Sequence, residues 1–159
     1  MEAPFSFSVF LHRCAGLIPE RDLDILRAIS SSDENPYTDK QPILKQWHLF
    51  DRALRDELVK IRASRKKIDP AGYLRGVGYV EPSVTHIALS AYRNPSPLEA
   101  EKILDEERWC FLDGLTIGHY FDLDFLIVYG YKILILERWQ KVRLADEALI
   151  LEEVLTQQN

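Results

Sequence analysis

The stretch PILKQWHLFDRALRDELVKIRASRK, residues 42–66, decides the fold class of this chain. Its large apolar side chains recur every three or four residues, which is the period that places them on one face of a helix. That face consists of Ile43, Trp47, Phe50, Leu54, Leu58 and Ile61. Pro42 suits the first helical position, because the amide hydrogen that proline lacks would have no partner there. The pattern predicts one long amphipathic helix.

The charged residues of this helix follow two arrangements. Asp51 with Arg55, and Asp56 with Lys60, are four residues apart, a spacing at which an acid and a base can pair along the helix. The C-terminal end carries four cations: Arg62, Arg65, Lys66 and Lys67. Cations at that end complement the helix dipole. The same cluster is also a candidate contact for an acidic protein or for membrane headgroups.

A second helix is indicated by Ser96-Pro97-Leu98-Glu99, a capping box with proline at the first helical position. Its end would suit Gly114 or Gly118, because glycine readily adopts the left-handed conformation found at many helix termini. The side chains expected on its buried face are Ile103, Leu104, Phe111, Leu112 and Leu115.

The stretch HYFDLDFLIVYGYKILILERW, residues 119–139, is the most hydrophobic part of the chain. Asp122 and Asp124 precede its apolar run and Lys132 interrupts it, so we do not expect it to cross a membrane, which takes roughly 20 predominantly apolar residues. Acids at its start and bases towards its end fit a helix dipole, although its β-branched and aromatic residues would also suit a buried strand. We expect a helix that is buried nearly all round.

The rest of the chain predicts shorter helices and loops. Helices are expected near residues 6–14, 19–29 and 82–92, and loops near 30–41 and 66–83. The whole chain, residues 1–159, is predicted to be a mostly α, single-domain bundle of five to six helices, three of them long, with a frayed C-terminal tail. The helices of Trp47, Trp109 and Trp139 would form its core.

The composition is that of an ordinary globular protein, with 47% hydrophobic and 28% charged residues and a net charge of −5. That charge argues against a general nucleic-acid binder. Cys14 and Cys110 form neither a metal-ligand cluster nor a disulfide framework, so both are expected to be small buried residues. The opening MEAPFSFSVFLHRCAG does not resemble a signal peptide, which makes the cytoplasm the expected location.

His119, Asp122 and Asp124 invite a metal-binding or acid–base interpretation. Zinc sites on helices usually place two ligands one turn apart, whereas here one histidine precedes two alternate aspartates. The simpler interpretation is that Asp122 or Asp124 caps the helix and that His119 satisfies a loop backbone. We therefore expect no catalytic, cofactor-binding or metal-binding residues. A hydrolase or metal-dependent enzyme that uses these three side chains is the alternative.

Charge is distributed unevenly along the chain. Residues 51–75 carry eight basic against four acidic residues, and residues 98–159 carry thirteen acidic against six basic ones. Halves of opposite sign suit a protein that lies between partners. A nucleic-acid adaptor that acts through residues 52–67 is a further alternative, and strongly salt-dependent binding would distinguish it.

One tripeptide occurs twice, as Glu107-Arg108-Trp109 and as Glu137-Arg138-Trp139. If the last two long helices form an antiparallel hairpin, these arginines and glutamates could pair across it. Two such matches in a short chain also arise by chance, so the pairing and the chance match are both left open.

The stretch NPSPLEAEKILDEERWCFLDGLTIGHYFDLDFLIVYGYKILILERW, residues 94–139, resembles a small protein family encoded in bacterial V-type ATP synthase operons. The earlier helices look like those of the same family, so the resemblance runs from about residue 6 to residue 139. Its most specific parts are the proline-rich helix opening, the piece His119-Tyr120-Phe121-Asp122 and the piece Glu137-Arg138-Trp139. Family members commonly begin with an aromatic-rich segment that this chain mostly lacks, and two residues are inserted before Leu98.

The resemblance implies a non-enzymatic accessory or central-stalk subunit, or an assembly factor, of an ion-translocating ATPase. In such a machine it would be a reduced counterpart of the helical socket that joins the central rotor shaft to the membrane ring. Its partners would be other stalk or rotor subunits, and it would reach the membrane only indirectly. No cofactor, nucleic acid or small-molecule substrate is expected.

Overall fold

The computed structural model describes residues 3–30, 36–75 and 82–156, with side chains as far as residue 145. Within these ranges the chain forms six α-helices and one short 3-10 helix, Ala71–Tyr73, and no β-strand. The α-helices are α1 (Phe7–Cys14), α2 (Glu20–Ala28), α3 (Pro42–Lys66), α4 (Pro82–Arg93), α5 (Pro97–Leu115) and α6 (Leu123–Thr156). The mostly α fold with three long helices is confirmed.

The loops and the tail predicted from the sequence are covered only in part. Residues 36–40 form turns, and α3 leads through residues 67–70 into the short 3-10 helix. Residues 31–35 of the first predicted loop and residues 76–81 of the second lie outside the described residues. The end of the predicted tail, residues 157–159, does so too.

The helices begin where the sequence predicts them to begin. Ser6 precedes α1, and its hydroxyl accepts a hydrogen bond from the amide of Val9 at 3.2 Å. Ser96 caps α5 in the same way through the amide of Glu99 at 3.3 Å. Such side chains satisfy amides of the first helical turn, which have no partner inside the helix. These caps fix the first turns of α1 and α5.

The contacts divide the chain into two compact units. Unit 1 comprises Met1–Asn35 and Tyr120–Asn159, and unit 2 comprises Pro36–His119. In unit 1, α6 packs against α1 and α2, whereas in unit 2, α3, α4 and α5 pack on one another. The expected core of three tryptophan helices is therefore corrected, because the helix of Trp139 belongs to unit 1. That both units act as a single domain stays a prediction.

Unit 1 is built around α6. Every residue from 123 to 137 is buried or half-buried, and full exposure begins only at Arg138. The helix prediction for this hydrophobic stretch is thus confirmed over the buried-strand alternative. Gly130 lies where α6 meets its neighbours: a Cβ atom there would be 2.5 Å from Ile29 Cδ1 and 3.3 Å from Phe7 Cε2. The missing side chain lets the three helices approach closely.

Unit 2 is built on the apolar face of α3. Five of its six predicted side chains are buried, and Ile61 is only half-buried. Phe50 stacks on Phe111 of α5, with ring centroids 4.0 Å apart. On the predicted face of α5, Leu104 and Leu112 are buried, whereas the other three residues are half-buried.

Cys14 is buried as predicted, but Cys110 is exposed, so the prediction for Cys110 is wrong.

Candidate docking surface

The four cations at the end of α3 form an exposed basic cluster. Arg62, Arg65, Lys66 and Lys67 are all exposed. The Nη1 atom of Arg65 donates a hydrogen bond to the hydroxyl of Tyr92 on α4, at 3.1 Å. This bond raises the pKa of Arg65 further above its already high usual value. It also ties one of the four cations to a neighbouring helix, a contact that the sequence did not reveal.

Lys67 ends α3 in an unusual backbone conformation. Its φ of 56° and ψ of 40° lie in the left-handed region, and its amide donates to the carbonyl groups of Ala63 and Ser64. Glycine normally occupies such a position, because a Cβ atom makes that conformation unfavourable by about 1–2 kcal/mol. The sequence pattern placed Lys67 in the basic cluster but not at the helix cap.

Nearer the middle of α3, Arg108 of α5 connects two acids. Its Nε atom donates to Asp51 of α3 at 2.9 Å, and its Nη1 atom donates to Asp105 at 2.8 Å. Asp51 also pairs with Arg55 at 2.8 Å, which confirms the pair predicted from the spacing. The long helix that carries the basic cluster is therefore held to α5 by a charged network.

The second predicted pair on α3 needs correction. Lys60 pairs with Glu57 at 2.6 Å rather than with Asp56. The other oxygen of Glu57 accepts from the hydroxyl of Thr85 on α4 at 2.9 Å. Asp56 is buried and accepts from the backbone amide of Arg75 at 3.1 Å, which fastens the segment after α3 to the helix. Asp56 therefore serves a connection within unit 2, whereas Glu57 serves both the pair with Lys60 and the bond to α4.

The structure brings together His119 and Asp122, which precede α6, and Asp124, which lies in its first turn. One potential ligand atom from each lies within 4.8 Å of those of the other two. Asp122 accepts from the amide of Phe125 at 2.9 Å, so its carboxylate caps α6. This confirms the capping interpretation for Asp122. Tyr120, which belongs to the same piece of the family pattern, is mostly exposed.

The second tripeptide lies on α6. Glu137 accepts a hydrogen bond from the amide of Phe7, the first residue of α1, at 2.9 Å. Arg138 is exposed and Trp139 is half-buried. Arg108 and Glu137, for which a pairing across a helical hairpin was left open, each bind a partner within their own unit. Glu137 instead satisfies an amide at the start of another helix.

Comparison with known proteins adds no relative. No protein-family model matches the chain, and no curated protein or solved structure is similar to it. In the described part of the chain, none of the helices combines the length and the apolar character that a membrane crossing requires.

Proposed function

We propose that this protein is a non-enzymatic accessory or central-stalk subunit, or an assembly factor, of a V-type ion-translocating ATPase. The observation that carries the proposal is the exposed basic cluster at the end of a 25-residue helix whose apolar face is buried in unit 2. The resemblance of residues 94–139 to the operon-encoded family is the reason for naming a V-type ATPase as the complex. The proposal places the protein in the cytoplasm, peripheral to the membrane through the complex.

The chemistry of the cluster indicates an acidic partner surface. Four exposed cations on a fixed helix end attract and orient a negatively charged partner, and they act mainly on the association rate and its salt dependence. Apolar anchors near such a charged rim supply most of the binding energy in known interfaces. We therefore expect binding that weakens as ionic strength rises.

Charge reversal at this cluster tests the proposal. The variant Arg62→Glu with Lys66→Glu should fold normally and lose stalk subunits in affinity purification from native membranes. The matched control is Lys45→Glu with Arg52→Glu, since both residues are exposed on the same helix. The control should retain the partners. Equal recovery of ATPase subunits with both variants would remove the basic cluster from the proposal, and recovery of none with the native chain would reject the ATPase assignment.

The metal-dependent alternative has its own test, because the group around Asp122 carries it. Asp122→Ser keeps a side chain that caps helices well and removes a carboxylate. Under the docking proposal, this variant should have nearly native stability, and neither protein should bind Zn²⁺ or Mn²⁺ in calorimetric titration. Stoichiometric binding by the native chain that Asp122→Ser abolishes would support the enzyme.

A further inference from the structure

Unit 1 carries an apolar groove that is open to solvent. Its volume is about 310 Å³, and its walls include Phe5, Phe10, Leu17, Phe125, Leu126 and Tyr129. Leu17, in the turn after α1, is 82% exposed at this groove. The space is about ten times the volume that a water molecule occupies in the liquid, which is enough for an aromatic side chain. Exposed apolar surfaces of this kind usually mark binding sites.

Arg13 gives the groove a positive charge. Its guanidinium carbon lies 4.5 Å from the ring centroid of Phe5, over the face of the ring. Among the residues that the structure describes, Arg13 makes no ion pair with a carboxylate. A suitable occupant would therefore combine an apolar group with a nearby negative charge.

The chain itself presents such a group in the same unit. Tyr120 is 70% exposed, and Phe121 is fully exposed. The carboxylates of Asp122 and Asp124 follow directly. Phe121 also lies only four residues before Phe125, a wall residue of the groove. Unit 1 thus carries both an exposed aromatic side chain followed by acids and an apolar groove with an arginine.

We propose that this surface pairs with itself, so that two copies of the chain form a two-fold symmetric dimer. In this dimer, Phe121 of each copy fills the groove of the other, and Arg13 of each copy faces the acids that follow Phe121. A two-fold interface uses the same patch on both partners and requires that patch to be self-complementary. An exposed aromatic side chain with acids after it and an apolar groove with an arginine meet that requirement in polarity and in charge. The inference concerns unit 1 and does not rest on the proposed ATPase function.

Sedimentation of the full chain over a range of concentrations tests the dimer. We expect a concentration-dependent dimer whose dissociation constant rises with ionic strength. Phe121→Ser and Leu17→Asp should each raise that constant at least about tenfold, because a buried apolar anchor is worth more than one decade of affinity. Tyr73→Ser, at a 65% exposed aromatic residue of unit 2, is the control and should leave the constant unchanged.

Mixing the two variants distinguishes insertion of Phe121 into the groove from nonspecific association. A Phe121→Ser copy keeps its groove and a Leu17→Asp copy keeps its aromatic projection, so the mixed pair retains one intact contact. The mixture should associate more tightly than either variant alone. A chain that stays monomeric, a dimer that both variants leave intact, or a monomer that binds lipid vesicles through Phe121 would each overturn the proposal.

Discussion

Arg108 of α5 donates to Asp51 of α3 at 2.9 Å, across 57 positions of sequence. The same guanidinium donates to Asp105 at 2.8 Å, and the side chain of Asp105 is only 3% exposed. One nearly buried cation therefore balances two acids, and its removal would leave both of them without that charge. Removing one partner of a buried pair is much more destabilising than replacing the entire pair.

Replacing Arg108 should accordingly destabilise unit 2 strongly. For Arg108→Met we expect a loss of about 3–5 kcal/mol in the free energy of unfolding, measured with urea. Adding Asp105→Asn should recover part of that loss, since it removes one of the uncompensated charges. Arg55→Ala, which breaks only the exposed pair with Asp51, should cost less than about 0.5 kcal/mol. Similar losses for Arg108→Met and Arg55→Ala would contradict this account of the network.

Lys67→Gly should stabilise the protein. Lys67 adopts a left-handed conformation at the end of α3, and glycine adopts it without steric cost. We expect a gain of about 1 kcal/mol in unfolding free energy. Lys66→Gly is the matched control, because it removes the same charge from the last helical position and should destabilise by up to about 1 kcal/mol. Thermal unfolding of both variants would show opposite shifts, and shifts of the same sign would argue against the cap.

Glycine-to-alanine changes should differ between two helices. Alanine normally stabilises a helix by about 1 kcal/mol relative to glycine. Gly114 of α5 has nothing within 4 Å of the position that a Cβ atom would take, so Gly114→Ala should bring that gain. At Gly130 the new methyl group would meet Ile29 and two phenylalanine rings. Gly130→Ala should therefore bring no gain or destabilise by about 1–3 kcal/mol.

A double-mutant cycle identifies the cause of that difference. Ile29→Val removes the Cδ1 atom nearest to the added methyl group. Alone, this change should cost about 0.5–1.5 kcal/mol, whereas in the Gly130→Ala background it should cost less. Strictly additive effects would show that Ile29 does not limit the space at Gly130.

His48 should make stability depend on pH. Burial lowers the pKa of His48 below its usual 6.5, with nearby Asp51 acting in the opposite direction. The unfolded chain then binds a proton more readily than the folded one, so stability should fall as pH drops below about 6.5. His48→Leu should flatten this decline in urea unfolding between about pH 7.5 and about pH 5.5. An unchanged slope in the variant would exclude His48 as its source.

The helices could be predicted from sequence because their signals are local. The apolar period of α3 and the capping box of α5 each lie within one element, and both helices begin where predicted. The grouping of helices into units depends on contacts between distant segments, which no local pattern contains. The assignment of the Trp139 helix to the same core as Trp47 failed for that reason.

The candidate surface was predictable in part. The four cations follow from composition, and their exposure follows from their position at the end of an amphipathic helix. The bond between Arg65 and Tyr92 joins residues of two helices, and the left-handed Lys67 departs from the preference for glycine, so sequence pattern predicted neither. The sequence did not predict the apolar groove, although Phe5, Phe10 and Leu17 lie close together near the start of the chain.

The hydrogen bond from the amide of Phe7 to Glu137 joins positions 130 residues apart. On the ribosome, α1 and α2 emerge first, then all of unit 2, and α6 last. Translation at about 5–20 residues per second imposes a delay of about 6–26 seconds before α1 can meet Glu137. Unit 2, a continuous segment, can fold during that interval, whereas the apolar faces of α1 and α2 stay uncovered until α6 is synthesised. The apolar faces of those two helices are therefore exposed for longer during synthesis than those of the helices of unit 2.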